Sequence, residues 1–210
     1  MKTAAPRRKS ETAAVRTEKN APQEIRFYRA NEKPYGVFSN LYQRPITFED
    51  KEFPTAEHAY QAGKARKPAV RDWILNAPSP GLVAMAAHGL YTWDIVSDWS
   101  KIKYDRMRKV LRAKFSQHED LKQLLLSTGN VRLVEAGRVD NAVNRTWGEV
   151  NGKGLNMLGV LLMELRAELA KEQTSRTTKA NGASRRNGFH ESAIRTPPKT
   201  LRRGSGSAIA

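Results

Sequence analysis

All four Trp, all six Tyr and five of the six Phe lie between residues 25 and 172 of this 210-residue chain. Large aromatic side chains dominate the burial that builds a core, so their crowding marks where the chain can pack. Residues 1–24 are rich in Ala, Thr, Lys, Arg and Glu, with no aromatic and no apolar periodicity. Residues 173–210 are rich in Ser, Thr, Gly and Arg, with Phe189 the lone aromatic. Such segments bury too little apolar surface to offset the entropy of ordering them. The expected organisation is a disordered basic tail at 1–24, one folded domain at 25–172, and a second disordered basic tail at 173–210.

Charge follows the same division. Of the net +16, residues 1–24 and 171–210 carry +10 and the middle only +6. The basic runs Arg7-Arg8-Lys9, Arg185-Arg186 and Arg202-Arg203 suit phosphate contact or a nuclear-import signal, and equally suit plain solvated tails. No apolar run approaches the roughly 18–20 residues that span a bilayer, and the N-terminus has neither the apolar core of a secretory signal nor the acid-poor composition of a transit peptide. Zero cysteines exclude a disulfide scaffold, a thiolate metal site and a cysteine nucleophile. His58, His88, His118 and His190 stand at no metal-ligand spacing, so neither a metal nor a cofactor is implied. The expectation is a soluble cytoplasmic protein with no membrane contact, the nucleus being a second option if the source is eukaryotic.

Within 25–172, short strands are expected at Ile25–Tyr28 and Val37–Asn40, around the turn Lys33-Pro34-Tyr35-Gly36. A hairpin is expected at Ile46–Phe48 and Glu52–Phe53. Thr55 suits the cap of a helix from Ala56 to about Arg66, limited by Pro68. Ser79-Pro80 opens a helix that Gly89 closes. Tyr104, Met107, Val110, Leu111 and Phe115 form a 3.6-residue stripe over Ile102 to about Gln117. A helix over about Glu119–Ser127, a strand at Val131–Ala136 and a long helix at Leu155–Lys171 complete the set. The fold class is α+β: a compact, mainly helical single domain with a few short strands. No βαβ alternation or phosphate-loop glycine pattern points to a Rossmann unit.

The segment Thr55 to Lys64 carries the most chemistry. On a helix Glu57, Gln61 and Lys64 share one face, and the small Ala56, Ala59 and Ala62 let another backbone approach. A carboxylate, an amide and an amine converging on a groove can position a sugar and activate water; the same spacing also describes a solvated helix with a favourable charge pattern. In the second segment, a strand ending at Val134-Glu135-Ala136 is followed by Asp140, a polar loop over Asn141–Thr146, and Trp147-Gly148. The chain then feeds a helix start at Asn156. Trp147 can stack on a base while free N–H groups meet phosphate; alternatively Trp147 plugs a turn-rich connection and Asn156 caps a helix. Phe38, Ser39, Asn40 and Trp93 are lesser candidates for substrate contact.

Taken in order, Ile25-Arg26-Phe27-Tyr28, Tyr35 through Asn40, Thr55 through Lys64, Thr128-Gly129 before Val134-Glu135-Ala136, Trp147-Gly148, and Gly154 through Met163 resemble the NADAR family of YbiA-like proteins. The resemblance implies a compact, mainly helical α+β domain acting on N-glycosidic bonds. Family activities include hydrolysis of phosphoribosyl aminopyrimidine intermediates of riboflavin synthesis and removal of ADP-ribose from guanine bases. Carried over by position, Glu57 and Lys64 match the active-site helix, Asn40 and Trp147 match pocket positions, and Asn156 matches the following helix start. Members often carry Asp three residues before Trp-Gly; here that position is Asn144, and Asp140 lies seven before Trp147.

These residues suit cleavage of a ribosyl C–N bond, in which positive charge builds on the sugar. Glu57 is the expected carboxylate that stabilises that charge and deprotonates water. Lys64 holds the phosphate, stabilises the leaving base, or attacks ribose C1 as a neutral amine to form a transient Schiff base. Asp140 or Asn144 orients hydroxyls or water. Gln61, Ser39, Asn40, Phe38, Trp93, Trp147, Gly148 and Asn156 complete the substrate contacts. The alternative is a non-catalytic nucleotide- or nucleic-acid-binding module that touches DNA or RNA through its basic tails.

Overall fold

The structure, a computed structural model, describes residues 24–191, with side chains described through 178. The expected disorder of residues 1–23 and 192–210 lies outside the described residues. The chain divides into a unit that ends at Glu168 and a second that begins at Leu169. The first holds everything that shapes the cleft.

It opens with strand β1 (Glu24–Phe27), whose alternating burial puts Ile25 and Phe27 inside. β1 does not turn back on the following residues. It pairs in parallel with β4 (Arg132–Glu135), with Ile25 opposite Leu133 and Phe27 opposite Glu135. The strand expected at Val37–Asn40 does not form: residues 37 and 38 end a 3-10 turn, Tyr35–Phe38. Phe38 is fully buried, edge-on to Phe27 at 5.7 Å and tilted against Phe115 at 6.1 Å. The turn places that ring in the core.

β2 (Ile46–Phe48) and β3 (Lys51–Phe53) form the expected hairpin. Its turn residues, Glu49 and Asp50, both have positive φ, the backbone of a tight I′ turn. Arg106 forks onto the Glu49 carboxylate at 2.8 and 3.2 Å and donates to the Ala59 and Tyr60 carbonyls. One guanidinium therefore ties the hairpin to the end of the next helix.

That helix, α1 (Ala56–Gln61), is capped by Thr55, whose hydroxyl accepts the His58 N–H. It stops five residues before the expected Arg66. The amides of Gly63 and Lys64 reach back three residues, to Tyr60 and Gln61, which tightens the last turn. Ala65 then bridges Ile95 and the Val96 N–H donates to Lys64 O. Pro68, expected as a stop, instead sits at the first position of α2 (Pro68–Leu75), where proline is pre-organised to start a helix. α3 (Pro80–His88) begins at a Ser79 cap and ends at Gly89 as expected. Ile74, Val83 and Ala87 pack together between α2 and α3.

α4 (Trp99–Gln117) and α5 (Glu119–Ser127) follow. Met107, Val110, Leu111 and Phe115 form the buried stripe of α4, and Tyr104 is only partly covered. After β4, residues expected as loop form α6 (Ala142–Trp147), because the Asn141 side chain accepts the Asn144 N–H at 2.8 Å and caps it. α7 (Met157–Glu191) buries Leu158, Leu161, Leu162 and Leu165 in the first unit. It runs past the boundary drawn at 172: no proline intervenes before Pro197, and helical hydrogen bonds do not need a buried face. Among the described residues, no helix is long and apolar enough to cross a membrane.

Candidate active site

The carboxyl ends of the two parallel strands point into one cleft of about 360 Å³. Ligand sites form where parallel strands end because the chain leaves the sheet there and exposes backbone and polar side chains. Tyr28 and Arg29 follow β1 at this edge, and Glu135 ends β4. Ser39 and Asn40 come from the segment after the 3-10 turn; Glu57, Tyr60 and Gln61 come from α1. α6 supplies Asn144 and Trp147. A second cleft of about 230 Å³ shares Tyr60, Gln61, His88, Val143 and Trp147 with the first and adds Lys64 and Lys103.

Glu57 is buried on α1, and Gln61, one turn later, donates its amide to Glu57 Oε1 at 2.8 Å. The Glu57 N–H donates to Asn40 O at 3.1 Å, which fixes the start of the helix on the Asn40 segment. Burial pushes the Glu57 carboxyl up to about 7, against the opposing pull of the Gln61 bond and the Lys64 charge. Glu135 rises to about 7 as well, through burial first and the Glu57 charge second. Two carboxyls in one cleft, each poised near neutrality, can hold one proton between them.

Facing them, Asn40 Oδ1 and Gln61 Oε1 are buried acceptors without a partner, although their amide nitrogens are engaged with Met107 Sδ and Glu57. Buried polar atoms are normally satisfied. Two bare acceptors in one cleft are places for the hydroxyls of a ligand. The indole of Trp147 stands edge-on to Tyr60 at 5.5 Å and beside Tyr104 at 5.6 Å, so its position is held by packing.

Lys64 lies beyond the end of α1, not on its face as the helical spacing implied. It is buried and its Nζ donates to Ala87 O. Burial lowers its pKa, while the Glu57 charge raises it and the Lys103 charge lowers it. His88 is also lowered, by burial and then by Lys64. Lys64 and Lys103 stand in the second cleft, while the first cleft holds both carboxyls together with Arg29.

The fold thus brings Ser39, Asn40, Glu57, Gln61, Asn144 and Trp147 to the first cleft and Lys64 to its extension. It does not bring the remaining expected residues there. Phe38 is core. Trp93 is exposed and stacks on Tyr91 at 4.5 Å. Asp140 is turned away and paired with Arg145 at 2.5 Å, so Asn144 alone of the two stands in the cleft; its amide donates to Val139 O at 2.7 Å.

Gly148 and Asn156 act one layer behind, through Glu135. A Cβ on Gly148 would run into the Glu135 carbonyl oxygen, and this close approach lets the Glu149 N–H reach that oxygen at 2.8 Å. Asn156, buried at positive φ, accepts the Glu135 N–H at 3.0 Å and donates to Leu133 O at 2.8 Å. Its side chain takes the place of a neighbouring strand and fixes the end of β4.

Glu135 itself escaped the reading of the sequence as a site residue. The available signal was a carboxylate closing an apolar strand just before a glycine.

The NADAR domain model matches residues 26–170. The Escherichia coli N-glycosidase YbiA is 41% identical over 150 residues, covering 71% of this chain and 90% of that protein. An N-glycosidase of Nostoc punctiforme is 36% identical over 148 residues, covering 69% of this chain and 92% of that one. A riboflavin biosynthesis protein of Vibrio vulnificus is 33% identical over 148 residues, 70% of this chain but 39% of the longer relative. The NMR structure of the Escherichia coli protein YbiA aligns with a TM-score of 0.63 at 40% identity, covering 71% of this chain and 86% of that one. With the match spanning the whole run from β1 into α7, cleft included, the chain belongs to the NADAR family.

Proposed function

We propose that this chain is an N-glycosidase that hydrolyses the ribosyl C–N bond of a nucleotide-like N-glycoside, an ADP-ribosyl or phosphoribosyl compound. The observation that carries the reading is the pair of carboxyls, buried Glu57 and half-buried Glu135, both raised to about 7 in a cleft with two unpartnered acceptors. Curated relatives that match most of the chain are named N-glycosidases.

The reaction needs one ionised and one protonated group. Glu57, with Lys64 beside it favouring its charge, is the base: it takes a proton from water as the water oxygen bonds to ribose C1. Glu135 keeps its proton longer because Glu57 repels a second negative charge, and it gives that proton to the nitrogen that leaves as the C1–N bond breaks. Solvent then returns both carboxyls to their starting states. The Glu57 carboxylate also lowers the energy of the cationic sugar in a site shielded from water. Asn40 Oδ1 and Gln61 Oε1 accept ribose hydroxyls, Trp147 stacks on a ring, and Lys64 and Lys103 face the anionic part of the substrate.

The test is product release by the full chain, read by chromatography and mass. Its substrates are the riboflavin-pathway aminopyrimidine phosphoriboside and an ADP-ribosylated guanine oligonucleotide. Cleavage of one or both is expected, lowered about 100- to 10,000-fold in Glu57→Gln, the range of a lost general base, and also lost in Lys64→Ala. Binding of either compound without cleavage would overturn the enzyme reading in favour of a binding module.

A further inference from the structure

Lys114 breaks the apolar stripe of α4. It lies seven residues after Met107 and four after Val110, so helical geometry places it on the buried face, and it has no exposed surface. Among the described residues no carboxylate pairs with it. Its ammonium instead donates to two backbone carbonyls, Val37 O at 2.5 Å and Ser39 O at 2.9 Å, with the Phe115 and Tyr42 rings at 5.4 and 5.7 Å. Burial pushes its pKa down to about 7. A buried cation without a counter-charge is costly, and a Leu or Met would fill the stripe without that cost.

What Lys114 holds explains why a cation is there. Ser39, Asn40 and Leu41 all line the first cleft. The Ser39 hydroxyl accepts the Leu41 N–H at 3.3 Å, Asn40 O accepts the Glu57 N–H at 3.1 Å, and the Asn40 amide donates to Met107 Sδ at 3.1 Å. Met107 and Lys114, two turns apart on one face of α4, therefore grip the same short segment from below. Asn40 lines the cleft with its Oδ1 buried and unpartnered, and its carbonyl holds the first turn of the Glu57 helix.

We infer that Lys114 is a positioning residue of the glycosidase site, acting through the Ser39 and Val37 carbonyls to hold the Asn40 side chain against the substrate. This rests on the N-glycosidase reading for its chemistry, and on the hydrogen bonds alone for the grip on the segment. A purely structural strut would lower the amount of folded protein. A positioning residue changes turnover per folded molecule, and does so through Asn40.

The test is a double-mutant cycle in the full chain, with Lys114→Met, Asn40→Ala and the combination. kcat and KM are measured on whichever of the two glycosides above the wild type cleaves, and hydrogen exchange is followed at the Leu41 and Glu57 amides. Lys114→Met is expected to lower kcat/KM at least tenfold alone, less than threefold in the Asn40→Ala background, and to speed exchange at both amides. Equal losses in the two backgrounds would overturn the inference and leave the glycosidase reading standing. If the wild type cleaves neither compound, the glycosidase reading falls, and exchange decides the grip: faster exchange upholds it and unchanged exchange overturns it. Should Lys114→Met fail to fold, Lys114→Gln, whose shorter neutral amide reaches fewer carbonyls, runs the same cycle with the same overlap expected.

Discussion

Glu57 and Glu135 reach the cleft by different routes, and only one was visible in the sequence. Glu57 stands in a capped segment with an amide one turn on, a pattern that helical periodicity makes readable. Glu135 becomes a site residue only because β4 pairs with a strand more than a hundred residues earlier and ends where β1 ends. Lys64 was placed near Glu57 for a partly mistaken reason: the helix ends before it, and the turn at Gly63 still delivers it. Together the two carboxyls set a pH dependence. Each has a native pKa of about 7 against an ordinary value of 4.5, so between those values the native state binds more protons than the unfolded chain. Their contribution therefore falls as pH rises through that window, and is least unfavourable below it. The proposed reaction requires one proton on the pair, so kcat/KM is expected to be bell-shaped with its maximum near neutrality. Glu135→Gln should remove the alkaline limb and leave the acid limb in place, because Glu57 ionises while Glu135 still carries its proton. An alkaline limb that survives in Glu135→Gln would assign the proton to another group.

At the scale of elements, local signals were sufficient wherever a cap or a periodic stripe lay within one segment. The hairpin, α3, α4, α5 and the start of α1 follow from such signals. α2 and α6 were missed because the same residues admit two uses: Pro68 ends one helix or starts another, and Asn141 serves a turn or a cap. The parallel pairing of β1 with β4 was not legible, since four-residue strands carry no mark of their partner. Its consequences concentrate at Gly148, where the backbone has extended angles that any residue adopts, so only space is at issue. Gly148→Ala sets a Cβ against the Glu135 carbonyl oxygen. The expected cost is about 1–3 kcal/mol of stability, typical of overpacking, together with loss of turnover as the end of β4 shifts. Gly81→Ala is the control: nothing stands near its Cβ inside α3, and a gain of about 0.5–1 kcal/mol is expected from a better helix former. Denaturant unfolding of both variants beside glycoside turnover checks the pair. A fully active, undiminished Gly148→Ala would show that the end of β4 tolerates displacement.

Across the whole molecule, the separation of charge is as marked as the separation of aromatic residues. The middle of the chain carries +6 of the net +16, and its basic side chains are largely committed. Arg106, Arg108, Arg132 and Arg145 all meet carboxylates at 4.0 Å or less. The amines of Lys64 and Lys103 line the second cleft. A polyanion attracted to this protein therefore has its densest runs of cationic residues near the two ends of the sequence, apart from the residues of the cleft. If oligonucleotide binding runs through these terminal cations, it responds to salt and to mutation independently of hydrolysis. Replacing Arg7, Arg8, Lys9, Arg185, Arg186, Arg202 and Arg203 by Gln is expected to flatten the salt dependence of oligonucleotide binding. The log–log slope should fall by up to about six, at roughly 0.9 for each duplex phosphate that is no longer neutralised. Hydrolysis of a small free glycoside should stay unchanged in the same variant, because the carboxyl pair, its acceptors and Lys64 are untouched. Filter binding from about 50 to 200 mM salt, run beside turnover of the aminopyrimidine phosphoriboside, measures both. A slope that does not move would place the nucleic-acid contact on the folded unit. A drop in turnover of the small substrate would mean that the terminal cations take part in the cleft, and the two functions would then have to be treated as one.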